Sequence, residues 1–161
     1  LNHPIAAVFD STGYLYVANS SGNNVTVYSP GSTKLLRTIG ADIDNPQALA
    51  FDGAGNLFVA NHGDDSVSIF PPGGSSPSLE LFRGIKKPTA LAFDANNNVY
   101  VANGDLANGD ISVYAPNTGR PFAKLCPGVK HPSRLIFDSF KNLWVANFHS
   151  STVTAFAPIG Q

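Results

Sequence analysis

The sequence predicts an all-β fold, a β-propeller built from four tandem blades. Three observations predict it: a unit of about 42 residues occurs four times, its segments look like strands with no helical period, and aromatic residues recur at equivalent places. Four short antiparallel strands in about 40 residues is the pattern of a propeller blade. The 161 residues correspond by length to one domain.

A proline opens each unit of the repeat. After it come a small or apolar stretch that ends in Phe-Asp, a turn, and a strand that ends in Val-Ala-Asn. The four prolines are Pro4, Pro46, Pro88 and Pro132, so consecutive units begin 42, 42 and 44 residues apart. The predicted blades are therefore 4–45, 46–87, 88–131 and 132–161.

Each unit is expected to supply four strands. The first two segments are short, apolar and bounded by Asp, Gly or Asn, and the third alternates between apolar and polar residues, as a half-buried strand does. A fourth strand fits "KLLRTI" (34–39), "LELFR" (79–83) and "PFAKL" (121–125). The last unit has no equivalent segment, so the last blade is predicted to be incomplete.

Twelve of the 17 aromatic residues occupy only three positions of the repeat. Sheets that stack face to face need bulky side chains at equivalent places, so we expect all twelve to lie in the packing layers between blades. They are Phe9, Phe51, Phe93 and Phe137; Tyr16, Phe58, Tyr100 and Trp144; and Tyr28, Phe70, Tyr114 and Phe156.

The repeat reads Pro-x-Ala-Leu-Ala-Phe-Asp-x-x-Gly-Asn-Leu-x-Val-Ala-Asn and is followed by Val-x-Val-Tyr. This pattern resembles the NHL-type repeat and the related YVTN-type repeats of surface proteins. The resemblance implies a propeller that serves as a binding platform, as an extracellular sensor or surface domain, or in some cases as a lyase or lactone hydrolase. Members usually have six blades, so four blades are expected to belong to a larger ring or an oligomeric ring. Either the four blades close tightly on themselves, or two chains complete a larger ring, and a dimer with eight blades is favoured.

The composition excludes several classes of function. A net charge of −1 and a charged fraction of 13% argue against general affinity for nucleic acid or an anionic membrane. No apolar run is long enough for a membrane span, and a single cysteine excludes an intrachain disulfide framework. The absence of methionine indicates a processed form or a piece of a longer protein. Low charge and many Asn, Ser, Gly and Thr residues favour an extracellular or periplasmic location.

The Val-Ala-Asn strand ends in asparagine in all four units: Asn19, Asn61, Asn103 and Asn147. These residues lie near the top face, which carries the loops between second and third strands and the links between blades. The sequence favours a structural interpretation, because an asparagine side chain bonds the backbone of a following turn. The alternative is a ring of amides that faces a ligand in the central channel.

A ligand site is predicted where the channel opens on the top face. All four histidines map to loops of this face, and Phe148 lies outside the twelve packing positions. The two extra residues of the third unit fall in "GDLANGD" (104–110), on the same face. The predicted binding residues are Asn61, His62, Asn103, His131, Asn147, Phe148 and His149.

The sequence contains no nucleophile motif, no HExxH and no CxxC, so no catalytic residue, metal or cofactor is assigned. The favoured function is a non-enzymatic scaffold that binds a protein or small ligand by its top face. One alternative is a metal-dependent lyase or hydrolase of the propeller type. Another is a structural fragment that assembles with copies of itself.

Overall fold

A computed structural model describes residues 1–104 and 109–159, which form fifteen β-strands. No helix of membrane-spanning length and apolarity occurs among these residues. The strands are β1 (Pro4–Phe9), β2 (Leu15–Asn19), β3 (Asn24–Tyr28), β4 (Leu35–Ile39), β5 (Pro46–Phe51), β6 (Leu57–Asn61), β7 (Ser66–Phe70), β8 (Leu79–Leu81), β9 (Pro88–Phe93), β10 (Val99–Asn103), β11 (Asp110–Tyr114), β12 (Ala123–Leu125), β13 (Pro132–Phe137), β14 (Leu143–Asn147) and β15 (Thr152–Phe156).

The strands form four antiparallel sheets in chain order, which confirms the predicted all-β propeller architecture. Blades 1, 2 and 3 have four strands each, and blade 4 has the three strands β13, β14 and β15 within the described residues. The first strands of the blades are neighbours: β1 packs beside β5, β5 beside β9, and β9 beside β13. They line an open concave groove of about 290 Å³, which we call the central channel.

The Phe-Asp motif shapes the turn between the first two strands of each blade. In blade 2, Asp52 Oδ1 accepts hydrogen bonds from the backbone N–H groups of Ala54 and Asn56, at 2.9 and 2.8 Å. Gly55 adopts a left-handed backbone with φ of 82°, which glycine does without strain. The aspartate therefore acts as a turn residue at the bottom face, opposite the predicted site.

Aromatic pairs repeat at the three interfaces between blades. Tyr16 contacts Phe51, Phe58 contacts Phe93, and Tyr100 contacts Phe137, each with ring centroids 4.9 to 5.0 Å apart and planes at 79 to 80°. This edge-to-face geometry is favourable for aromatic rings. Around each pair, side chains from both blades form a continuous apolar cluster.

Two of the twelve aromatic residues depart from the expected packing. Phe9 is 65% exposed and Trp144 is 41% exposed. The expectation that all twelve lie between blades is wrong for these two, because they lie on the outward faces of blades 1 and 4. The strands β1 and β13 do not pack together as the other neighbouring first strands do.

Candidate functional site

The four asparagines that end the second strands are buried, with 0 to 3% of their surface exposed. Each side-chain Nδ2 lies 2.8 to 3.2 Å from a hydroxyl on the third strand of its own blade. Those hydroxyls belong to Thr26, Ser68, Ser112 and Thr154. The side-chain amides are thus engaged within the fold.

The same asparagines also hold the link that arrives from the preceding blade. Asn103 Oδ1 accepts a hydrogen bond from the backbone of Lys86 at 2.9 Å, and Asn147 Oδ1 accepts one from Lys130 at 3.0 Å. In blade 2, Asn61 Nδ2 donates to Asp42 O at 3.1 Å, but its Oδ1 is buried without a partner among the described residues. The predicted site residues Asn61, Asn103 and Asn147 therefore lie beneath the top face.

The residue before each unit proline lies where the channel opens. His3, Asn45, Lys87 and His131 all have left-handed backbones, with φ between 45 and 56°. Their carbonyl groups accept hydrogen bonds from the N–H groups that directly follow the buried asparagines, at 2.9 to 3.2 Å. Those donors are Ser20, His62, Gly104 and Phe148. Each blade thus places two residues at the channel mouth by the same rule.

An aromatic triad lies at this mouth where the chain enters blade 4. It is formed by His131, the residue before β13, and by Phe148 and His149 after β14. Ring centroids are 4.5 Å apart for the two histidines, 5.9 Å for His131 and Phe148, and 5.8 Å for Phe148 and His149. Phe148 is 70% exposed. Nδ1 of His131 is buried and has no partner among the described residues. The structure thus brings together three of the predicted site residues.

His62 is the remaining predicted site residue, and it extends the site toward blade 2. Its pKa lies below the ordinary value because of burial, then because of the positive charge of Lys87 and the nearby His131, with Asp65 acting in the opposite direction. Lys87 Nζ donates to the carbonyl of His62 at 3.1 Å. An imidazole that is harder to protonate than usual and an ammonium group therefore lie close together at the mouth.

Lys87 was missed as a site residue from the sequence. The signal that finds it is its place directly before Pro88, which is equivalent to that of His131 before Pro132. The irregular segment 104–110 is described only at its ends, and residues 105–108 lie outside the described part. Among the residues that the structure describes, no group of three or more His, Cys, Asp or Glu is placed to hold a metal ion.

Comparisons with solved structures place the chain among propeller-type folds. Hydrazine synthase of Kuenenia stuttgartiensis matches with a TM-score of 0.85 and 19% identity, over 98% of this chain and 46% of that chain. A streptogramin B lyase matches with a TM-score of 0.76 and 10% identity, over 98% and 55%. The computationally designed Ika8 protein matches with a TM-score of 0.74 and 19% identity, over 96% and 46%.

These likenesses support the propeller fold and not a function, because the identities are low. The chain spans about half the length of the solved structures that it matches. No family model matches the sequence, and no curated protein matches it either. The resemblance to NHL-type and YVTN-type repeats stays a prediction.

Proposed function

We propose that this protein is a non-enzymatic scaffold that binds a small molecule or a peptide at the channel mouth of its top face. The observation that carries the proposal is the aromatic triad, in which Phe148 is 70% exposed against two imidazole rings. Large apolar side chains exposed beside polar groups mark binding sites.

The chemistry of the mouth favours a ligand with a flat apolar group and an acceptor. The Phe148 ring offers an apolar face, and the imidazoles of His131 and His149 can donate hydrogen bonds. Lys87 adds a positive charge near His62. An aromatic carboxylate, free or as part of a peptide, combines the two required features.

Benzoate is a suitable first probe, with binding followed by two-dimensional NMR of the labelled protein. We expect resonances of the triad to shift, and Phe148→Ala to weaken binding about tenfold, which corresponds to about 1.4 kcal/mol. Phe140→Ala is the matched control, because Phe140 belongs to the same blade and is 81% exposed in the bottom-face turn. Equal binding by the protein and by Phe148→Ala would contradict the proposal.

A metal-dependent lyase or hydrolase of the propeller type is the second candidate. It is favoured by the two imidazole rings of His131 and His149 at the mouth, whose centroids are 4.5 Å apart. Such an enzyme would hold a metal at the mouth with imidazole nitrogen, a good ligand for Zn²⁺. Elemental analysis of protein purified without chelators or a histidine tag separates the two candidates. One equivalent of metal per chain, lost in a His131→Ala/His149→Ala double variant, would favour the enzyme.

A further inference from the structure

We propose that two copies of this chain close into one ring, in which blade 4 of each copy packs against blade 1 of the other. The two outward faces of the four-blade array are apolar, and they carry the two halves of the interface that occurs three times inside the chain. A second copy supplies both missing halves at once. This inference is independent of the ligand site on the top face.

The missing aromatic pair is the first evidence. Inside the chain, the aromatic residue of each second strand contacts the Phe-Asp phenylalanine of the next blade at about 5 Å. Among the second-strand aromatic residues, Trp144 comes last along the chain. Among the Phe-Asp phenylalanines, Phe9 comes first. Both are exposed, at 41% and 65%. Trp144 of one copy and Phe9 of the other would form the fourth pair of this kind.

The Trp144 side chain makes the same kind of hydrogen bond as Tyr100, its buried equivalent in blade 3. Its Nε1 donates to Asp138 Oδ2 at 2.8 Å, and in blade 3 the hydroxyl of Tyr100 donates to Asp94 Oδ2 at 3.4 Å. The exposed ring is thus tied to its own blade by the same aspartate as an interface ring. Association costs less conformational entropy when a contact side chain is already fixed before binding.

Other side chains around Trp144 repeat the interface composition. Val153 is 64% exposed, whereas its equivalent in blade 3, Ile111, is fully buried between blades. Ile136, on β13, is 67% exposed on the same outward face. A continuous apolar face of this kind favours association, because burial removes apolar surface from water.

Charge does not oppose the contact. Arg134 is the charged residue of β13, and it lies at the channel, where its guanidinium donates to Ser133 O at 2.7 Å. The channel remains open to solvent after the ring closes. The apolar faces can therefore meet without transfer of this charge into the interface.

Blade 1 is also arranged as an internal blade. The backbone of Asn2 donates to Asn19 Oδ1, as Lys86 and Lys130 donate to their asparagines. His3 has the left-handed φ of the other residues that precede unit prolines. The path of the chain before β1 is thus that of a link between blades, and the Phe9 face has the orientation of an internal face.

A second copy is the occupant that fits both faces. The contact joins two different surfaces. Such a contact forms a closed ring only when the rotation from one copy to the next adds up to a full turn. Two copies of four blades satisfy this with a two-fold axis.

Light scattering during size-exclusion chromatography tests the proposal with the 161-residue chain. We expect a mass of about 34 kDa, twice the 16.9 kDa of one chain. Phe9→Asp and Trp144→Asp should each weaken association at least tenfold. Phe122→Asp, at an exposed position beside the outer strand of blade 3, should leave the mass unchanged. Circular dichroism verifies that each variant is folded.

A mixing experiment identifies the surfaces. Phe9→Cys and Trp144→Cys chains, each also carrying Cys126→Ser, are mixed and treated with a short bismaleimide. A cross-linked pair should form only in the mixture, because the contact joins position 9 of one copy to position 144 of the other. A strictly monomeric protein, cross-linking within one variant alone, or a native polypeptide that itself carries further repeat units on either side would overturn the proposal.

Discussion

At the scale of single residues, the buried asparagines join neighbouring blades. Asn103 Nδ2 lies 3.0 Å from Gly84 O in the preceding link, and 2.6 and 3.1 Å from Asp110 Oδ1 and Ser112 Oγ in its own blade. Together with the bond that Oδ1 accepts from the link, these contacts use the donors and the acceptor of one small side chain. The recurrent asparagine is thus explained by a structural need.

We expect Asn103→Ala to lower the free energy of unfolding by about 3 kcal/mol, because several buried polar groups lose their partner. The exposed Asn96 provides the control. Asn96→Ala should change the free energy of unfolding by less than about 0.5 kcal/mol. Urea denaturation of both variants measures the difference. Similar stabilities of the two variants would show that the buried amide contributes little.

The environment of His62 makes stability depend on pH. Its pKa in the folded protein is lowered from the ordinary 6.5, by burial and then by Lys87, with His131 adding to the effect and Asp65 opposing it. The unfolded chain therefore binds the proton more tightly than the folded protein. The resulting stability is complete above pH 6.5 and is lost as the pH falls from there through the lowered pKa of the folded protein.

We therefore expect the fall in stability between pH 7.5 and pH 5.5 to be smaller for His62→Gln than for the unaltered protein. Lys87→Met should reduce the fall in part, because one repulsive charge is removed. Denaturant titrations at the two pH values measure this. An identical pH dependence of His62→Gln and the parent would exclude His62 as its source.

At the scale of elements, the ends of the irregular loop in blade 3 are packed against neighbouring strands. A Cβ atom on Gly109 would lie 2.5 Å from Pro132 Cδ and 2.8 Å from the backbone nitrogen of His131. Neither atom is the end of a flexible side chain. The glycine lets this loop approach the start of β13, where the aromatic triad begins.

Gly109→Ala should destabilise the protein by about 1 to 3 kcal/mol and displace His131, since overpacking is relieved by backbone movement. Gly119→Ala is the matched control, because nothing lies within 4 Å of a Cβ atom at that position. Thermal unfolding and the NMR signals of the His131 ring measure the two effects. An unchanged His131 spectrum would separate the loop from the site.

At the scale of the whole molecule, the repeat carried most of the information about the fold. Turn aspartates and alternating strands act over a few residues, so their pattern predicts fifteen strands without knowledge of distant contacts. The exposure of Phe9 and Trp144 was not predicted, although the repeat is regular. The position of a residue in the repeat does not reveal whether another blade covers it. His131 directly precedes the unit that contains Phe148 and His149, and the three were predicted together, whereas Lys87 lies 25 residues after His62 and reaches it only in the folded chain.

Hydrogen exchange should follow the position of each strand in the ring. All residues of β6 and β10 are buried, whereas β15 is mostly exposed and, within the described residues, pairs with β14 alone. We expect slowest exchange in β6 and β10 and fastest exchange in β15. Mass spectrometry of peptic fragments measures the order. Equal protection of all four blades would indicate that the molecule opens as one unit.

The one-sided pairing of β15 also has a mechanical consequence. A force that pulls on the two ends of the described chain acts directly on the edge strand of blade 4, whose hydrogen bonds to β14 can break one after another. At the other end, β1 is also hydrogen-bonded to one strand, β2, but it packs beside β5 at the channel, and Asn2 is bonded to Asn19. Under stretching force, the molecule should therefore unfold first at blade 4 and last at blade 1.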